Sequence, residues 1–361
     1  MQIADILKYR MVNQRLEGAT AASALEAVRW LGAVQAQDLG SALWAVSQRT
    51  EQVSVADIEA AFARGDILRT HVMRPTWHLL AAEDIRWMLD LTRDRLLQAT
   101  AYYYRMYELT APELARTADI IQQALEGGKY LTRNQLATKL TEKRIAVQDG
   151  VRLAHIVAHA ETAGLVCSGP MQGNQQTYGL LTERAPHAKT LGRDTALATL
   201  TERYFASHGP ATIDDYVWWS GLTKTDAQRG LQSIKHKFVH EKIAGTSYWF
   251  VPPLTNIPAK PQAHFLPNYD EYIVAYADRS EIFNPEHTHM LDSRQNFVFN
   301  NVLVLDGVIA GTWKKRLTKT ELIIELVVFH ALSSGQQEAV HAAARKYAAY
   351  FNQTSWRILG L

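Results

Sequence analysis

An α+β fold, mainly helical, is what this sequence predicts, and three observations carry the prediction. A pattern of two helices followed by a β-hairpin appears at 129–181 and again at 194–254, with a less regular copy at 1–80. From residue 258 the pattern stops and strand-like stretches take over. The chain has 361 residues, more than one ordinary core uses, so about two to four small domains or a repetitive assembly is expected. Two helices and a hairpin make a winged helix. The expected architecture is therefore three tandem winged-helix units and a small C-terminal α+β domain, divided 1–110, 111–190, 191–257 and 258–361.

The elements follow in chain order. Apolar spacing predicts helices over 3–13, 22–35, 41–48 and 54–64, then strands Ile67–Met73 and Thr76–Leu80 joined around Arg74-Pro75. In the second unit, helices at 131–143 and 149–164 lead into Leu165–Gly169, a Gly/Asn-rich turn and a strand from Thr177. In the third, Thr212 or Asp214 caps a helix over Ile213–Trp219, and Thr223 caps another running to Ile234. Phe238–Ile243 and Tyr248–Val251 flank a Gly245-Thr246-Ser247 turn, and Pro252-Pro253 close the unit. The tail reads as strands at Phe265–Tyr276, Asn301–Trp313 and Leu322–Phe329, with an Asp306-Gly307 hairpin and an Ala-rich closing helix over Gln336–Tyr350.

Composition narrows the function. Hydrophobic residues at 47% and charged residues at 20% argue against disorder. No apolar run approaches the ~18 residues a spanning helix needs, and MQIADILKYR lacks the basic and apolar regions of a signal peptide. A cytoplasmic, nucleoid-associated protein that does not engage the membrane is expected. The single cysteine, Cys167, excludes an internal disulfide, an iron–sulfur site and any zinc site built on paired cysteines, and it reads as a core residue.

His155 and His159 have the spacing of a zinc helix without its glutamate, and His159-Ala-Glu161 imitates a deaminase signature without its cysteines. His287-Thr-His289 would place two histidines on one strand. No metal and no cofactor are expected, and without a Walker loop, a Gly-x-Gly-x-x-Gly or a Gly-x-Ser-x-Gly there is no nucleotide cofactor to assign.

Net charge is only +2, less than a DNA-binding domain usually carries. Basic side chains nonetheless cluster. Residues 129–152 hold six Lys/Arg against two acids, 223–260 the same, including Lys237, and Lys314-Lys315-Arg316 with Lys319 has no acid between. Any one cluster can be a solvated face. Three in related settings point to phosphate contacts, with Lys237 and Lys314 as candidates.

The most informative short motif is Gln35-Ala36-Gln37, followed by Asp38 and Leu43-Trp44. Together with Leu68–Leu80, His208–Asp215 with Trp218-Trp219, Leu266–Tyr272 and Asp306-Gly307 through Trp313, it resembles the AlkZ-like winged-helix DNA glycosylases. The matching stretches run through nearly the whole chain in that family's order. Within it a Gln-hydrophobic-Gln triplet marks the AlkZ-like branch and Gln-hydrophobic-Asp the YcaQ-like one. The resemblance thus implies Gln35 and Gln37 as the catalytic pair, with Ala36 smaller than the usual aliphatic residue. It also implies a monofunctional glycosylase that hydrolyses the N-glycosidic bond of N7- or N3-alkylated purines, bulky adducts or interstrand crosslinks included. Its partner is duplex DNA carrying alkylated purines, bound by a monomer, in repair or in self-resistance to a genotoxin.

The chemistry suits two amides. Alkylation at N7 or N3 makes the base a neutral leaving group, so little general-acid help is needed. A glutamine carbonyl can hold the attacking water and lay partial negative charge beside the developing oxocarbenium ion. The bland alternative is that both glutamines cap a helix ending near Gln35, ahead of a Gly40-Ser41 break. Asp38 is read as an N-cap in preference to a general base.

Arg69, Arg74 and His78 alternate with apolar residues and either face DNA from one side of a hairpin or belong to a buried one, with His78 as a core histidine. Asp270, Glu271 and Tyr272 with Asp278-Arg279 form a polar group whose expected use is an Asp–Arg pair pinning the tail to the first unit, more than a second catalytic carboxylate. The rival reading of the chain is a non-catalytic winged-helix transcription regulator, and a third is a scaffold that binds no DNA.

Overall fold

The computed structural model describes residues 2–51, 53–147, 149–252 and 260–361. It is α+β and divides into two compact units, one of residues 1–58, 198–219 and 224–361, the other of residues 59–197 and 220–223.

The first unit begins with the helix Ile3–Asn13 and the helix Ala24–Leu31, whose Ser23 cap accepts from the Glu26 N–H and whose Ala24, Ala27, Val28 and Leu31 are buried. The sequence predicts that second helix as far as residue 35. It stops at Leu31 because Gly32 takes φ 82°, a left-handed turn that frees the chain to run extended through Val34–Gln35. Gly40-Ser41, expected as a break, instead lies in the first turn of the helix Leu39–Gln48, whose N-terminus Asp38 caps.

Further on, the unit holds most of the helix Arg193–His208, then Ile213–Ser220, Lys224–Ile234 and a hairpin of Val239–Ile243 with Thr246–Phe250. Ala211 bridges Trp249, adding a third extended segment beside the hairpin's second strand. The turn is Ala244-Gly245, with φ 47° and 86°, so Thr246 and Ser247 belong to the strand rather than to the expected turn. A two-residue turn with both central φ positive matches the twist of its strands. Pro253, and with it the expected boundary at 257/258, lies outside the described residues.

The C-terminal part is a five-stranded sheet in the order Trp356–Leu359, Leu322–Val328, Val308–Leu317, Val302–Leu305, Ala263–Leu266. Only the first pair is parallel, and the helix Ser334–Tyr350 makes that crossover. The sheet's outermost strand, Trp356–Leu359, carries no signal in the sequence reading. The expected strand Phe265–Tyr276 is cut at Leu266: Tyr269 turns at φ 61°, and Asp270 caps a short helix, Glu271–Val274. His287 and His289 lie in a 3-10 helix, Pro285–Met290, not on a strand. Leu7, Met11 and Leu16 from the N-terminus pack with Leu266, Tyr272, Ile273, Val302 and Ile309 in one apolar cluster.

The Asp306-Gly307 turn forms as predicted, with φ 49° and 89°. A Cβ on Gly307 would lie 2.8 Å from Leu7 Cβ and 3.1 Å from the Tyr272 hydroxyl. Gly307→Ala therefore meets backbone strain and a clash together, and an unfolding titration should show a loss of about 2 kcal/mol. A stability equal to wild type would contradict this packing.

The second unit carries the hairpin Ile67–His71 with Trp77–Ala81, then the long helix Ile85–Met106. After it come the helix Ala111–Leu125, a strand Leu131–Thr132, the helices Arg133–Glu142 and Gly150–Thr162, and the strands Val166–Ser168 and Thr177–Leu180. The 131–132 strand pairs with the last of these, which pairs in turn with 166–168. Ile121, Leu125, Leu136, Leu140, Ile156 and Val157 fill the core between helices and sheet.

Candidate active site

The triplet occupies the passage from strand to helix in the first unit. Gln35 ends the strand and is buried, Ala36 is fully buried, and Gln37 and Asp38 are exposed in the bend before Leu39. Asp38 Oδ1 accepts from the Ser41 N–H at 2.9 Å, so this carboxylate is the cap of the Leu39–Gln48 helix, as the sequence suggests. The alternative in which the two glutamines cap a helix end fails, because the preceding helix has already stopped four residues earlier at Leu31.

At the Gln35 main chain lies Glu271, an acid of the 270–272 polar group whose position here the sequence does not indicate. Glu271 has no exposed surface, and its Oε1 accepts the Gln35 N–H at 2.6 Å while Oε2 accepts the Trp219 Nε1–H at 2.9 Å. His208 Nε2 stands 3.5 Å from the same Oε2, and its ring stacks on Tyr204 at 4.9 Å. Burial pushes the His208 imidazole below the usual histidine range, against the opposing pull of Glu271.

A second buried network braces the same region. Arg49, 1% exposed, makes a bidentate pair with Asp270, 2.9 and 2.7 Å, and also donates to Ala45 O and Gln14 Oε1. Gln14 Nε2 donates to the Tyr276 hydroxyl, which donates to His208 O. An Asp–Arg pair tying tail to N-terminus was expected. Its arginine is Arg49, while Arg279 donates to Ile273 O and lies over the Trp218 ring. Trp44 Nε1 donates to Phe265 O at 2.7 Å, adding another tie between the Leu39–Gln48 helix and the sheet.

The basic candidates separate by exposure. Lys237 is exposed and paired with Glu202 at 2.7 Å; Lys314 is exposed on the Val308–Leu317 strand opposite Glu325. Lys315 lies over the Phe351 ring at 4.7 Å, and burial holds its ammonium below the usual lysine range although Asp38 pulls the other way. In the second unit Arg74 is half-buried, with its guanidinium 3.5 Å from His78 Nε2.

Two sequence-predicted DNA contacts are corrected. His78 has no exposed surface, and its Nδ1 meets Thr76 O at 3.1 Å, which makes it the core histidine of the alternative reading. Arg69 is 8% exposed, bonded to Gln176 and laid over the Trp77 ring at 4.4 Å. In this conformation His78 offers no surface to a phosphate and Arg69 offers little. The same unit holds a buried carboxylate, Glu161, bonded to His71 Nδ1 at 2.5 Å and Trp77 Nε1 at 3.2 Å, which no motif announced beyond the imitation signature at His159.

His155 stacks on Tyr103 and His159 meets Tyr104 edge to face, and no group of three or more His, Cys, Asp or Glu among the described residues is placed to hold a metal ion. Cys167 is buried, and burial pushes its thiol up to about 12. No helix among the described residues is long and apolar enough to cross a membrane.

A family model described as DNA glycosylase AlkZ-like matches residues 28–350, most of the chain, with the triplet and Glu271 inside the match. The class follows: the protein is an enzyme, a DNA glycosylase, and DNA is what it binds. It belongs to the AlkZ-like DNA glycosylase family. A relative from Streptomyces sahachiroi described as an interstrand DNA cross-link repair glycosylase is 24% identical over 345 residues, 89% of each chain. The solved structure of Streptomyces sahachiroi DNA glycosylase AlkZ shares the fold, with a TM-score of 0.80, 21% identity and coverage of 99% of this chain and 100% of that one. Enzyme membership sets aside the non-catalytic regulator and the scaffold.

Proposed function

We propose that the enzyme is a monofunctional glycosylase for N7- or N3-alkylated purines in duplex DNA, bulky adducts and interstrand crosslinks included, with Gln35 and Gln37 as its catalytic pair. The observation that supports this most is the asymmetry of the triplet. One glutamine is buried on a main chain anchored by Glu271, and the other is exposed two residues later, where DNA can reach it.

In this reading the Gln37 amide meets DNA and Gln35 fixes the geometry behind it. Their carbonyl oxygens hold the water that attacks C1′ from the face opposite the base, and their dipoles lie beside the cationic sugar. The water adds to C1′ and gives up one proton to the solvent, the bond to the purine nitrogen breaks with its electron pair, and the cationic base leaves neutral, so no strong acid is required. The products are the free modified base and an abasic site. No cofactor takes part.

The crosslink substrate is suggested by the relative's description and by a mechanical argument. A base tied to both strands cannot rotate into a closed pocket, so it must be attacked in place. A catalytic pair of which one member is solvent-facing suits that.

We read residues 111–190 and 191–257 as winged helices, because each follows helix, strand, two helices and hairpin with the first strand beside the last. Residues 1–110 form a less regular copy and 258–361 the tail domain, the whole acting as a monomer. Phosphate contacts are assigned to Lys237, Lys314 and Arg74. Lys237→Gln and Lys314→Gln should each lower the slope of log K against log salt by about 1, measured by titration with duplex DNA. An unchanged slope in both would remove these lysines from the interface.

The test of the reaction is single-turnover release of 7-methylguanine, of a bulky N7-guanine adduct and of an N7–N7 crosslink from duplex DNA. Release from any of these, leaving an abasic site, supports the reading, and no release from all three overturns it.

A further inference from the structure

We infer that Glu271 is the positioning residue for Gln35: it sets where the buried glutamine stands by holding its main-chain N–H, and so sets the rate of base release without touching DNA. The inference rests on the reading of Gln35 as half of the catalytic pair.

Glu271 gives the Gln35 main-chain N–H a buried side-chain acceptor. The strand of Gln35 is two residues long, Val34–Gln35, and a bend follows at once. The short 2.6 Å bond to Glu271 Oε1 joins residues 236 positions apart and holds the triplet's first glutamine at its main chain. Glu271 is itself held in place. Trp219 Nε1–H occupies the other oxygen, and Trp219 packs against Tyr204, 5.0 Å, and His208, 5.3 Å.

Proton accounting orients His208. The Ser207 hydroxyl has one proton and gives it to Arg203 O at 2.6 Å, so Ser207 Oγ accepts from His208 Nδ1–H at 2.7 Å. Nε2 then faces Glu271 Oε2 at 3.5 Å as a lone pair, which leaves the Gln35 and Trp219 N–H groups as the donors to this carboxylate. A fully buried acid is a poor way to stabilise a core, where a leucine of similar size does better. Arg49 and Asp270 already tie these chain segments together. What Glu271 adds is a fixed acceptor at one backbone N–H, and that N–H belongs to the triplet.

The test uses the full chain and two variants. In Glu271→Gln one side-chain oxygen must serve two donors, since the amide NH₂ cannot accept from Gln35 or from Trp219. Adding Trp219→Phe removes the competing donor and returns the oxygen to Gln35. Single-turnover release should fall about 10–100-fold in Glu271→Gln, as expected for a slightly misplaced reacting group, with duplex affinity within twofold. The double variant should recover most of the lost rate. A rate equal to wild type in Glu271→Gln, or no recovery in a double variant that still unfolds cooperatively, overturns the inference. Amide hydrogen exchange gives a readout independent of catalysis: the Gln35 N–H should be protected in wild type and exchange faster in Glu271→Gln. Free exchange in wild type also overturns it, whereas a protected Gln35 in an enzyme that releases no base would fault the substrate reading instead.

Discussion

Gln37→Ala should lower single-turnover base release by about 10²–10³ while affinity for duplex DNA stays within about twofold, the cost of deleting one preorganised dipole. The side chain is exposed, so truncation leaves the core unchanged and the unfolding midpoint should not move. Gln35→Ala should cost as much in rate, with an added loss of stability, because Gln35 is 8% exposed and its removal leaves a gap. The two losses should not add, since in the proposed reaction both amides serve one water. Full activity in Gln37→Ala would exclude this glutamine from catalysis.

The second large effect is on stability. Asp270→Ala leaves the Arg49 guanidinium buried and unpaired, and unfolding in urea should show a loss of about 3–5 kcal/mol. Arg49→Met with Asp270→Leu should recover much of it, because an apolar pair of similar volume avoids both desolvation costs. The loss should shift the midpoint rather than the slope if the unit unfolds cooperatively. A single variant as stable as wild type would mean that the pair does not brace the unit.

How much of this the sequence displayed depends on the range of the interaction. Asp38 as a cap, the Asp306-Gly307 turn and the buried Cys167 were legible because each is decided within a few residues. The helix that ends at Leu31 reads longer in the sequence because apolar spacing continues through Ala33 and Val34, and only the left-handed Gly32 interrupts it. Arg69 and His78 look like an outward face on a hairpin, yet both faces of that hairpin are covered, so alternation gave no information on exposure. The acid group at 270–272 was visible as a cluster. That Asp270 takes Arg49 and Glu271 takes the Gln35 N–H is a pairing across more than 200 residues, which spacing cannot encode.

That distance has a consequence during synthesis. A ribosome makes Glu271 236 residues after Gln35, so over that span the nascent chain carries its glutamines without the carboxylate that anchors them. Arg49 likewise waits 221 residues for Asp270. An N-terminal fragment released by premature termination would therefore bear the motif but not the seated strand. On the proposed roles of Gln35 and Glu271, competence to cut glycosidic bonds waits until residue 271 has been made.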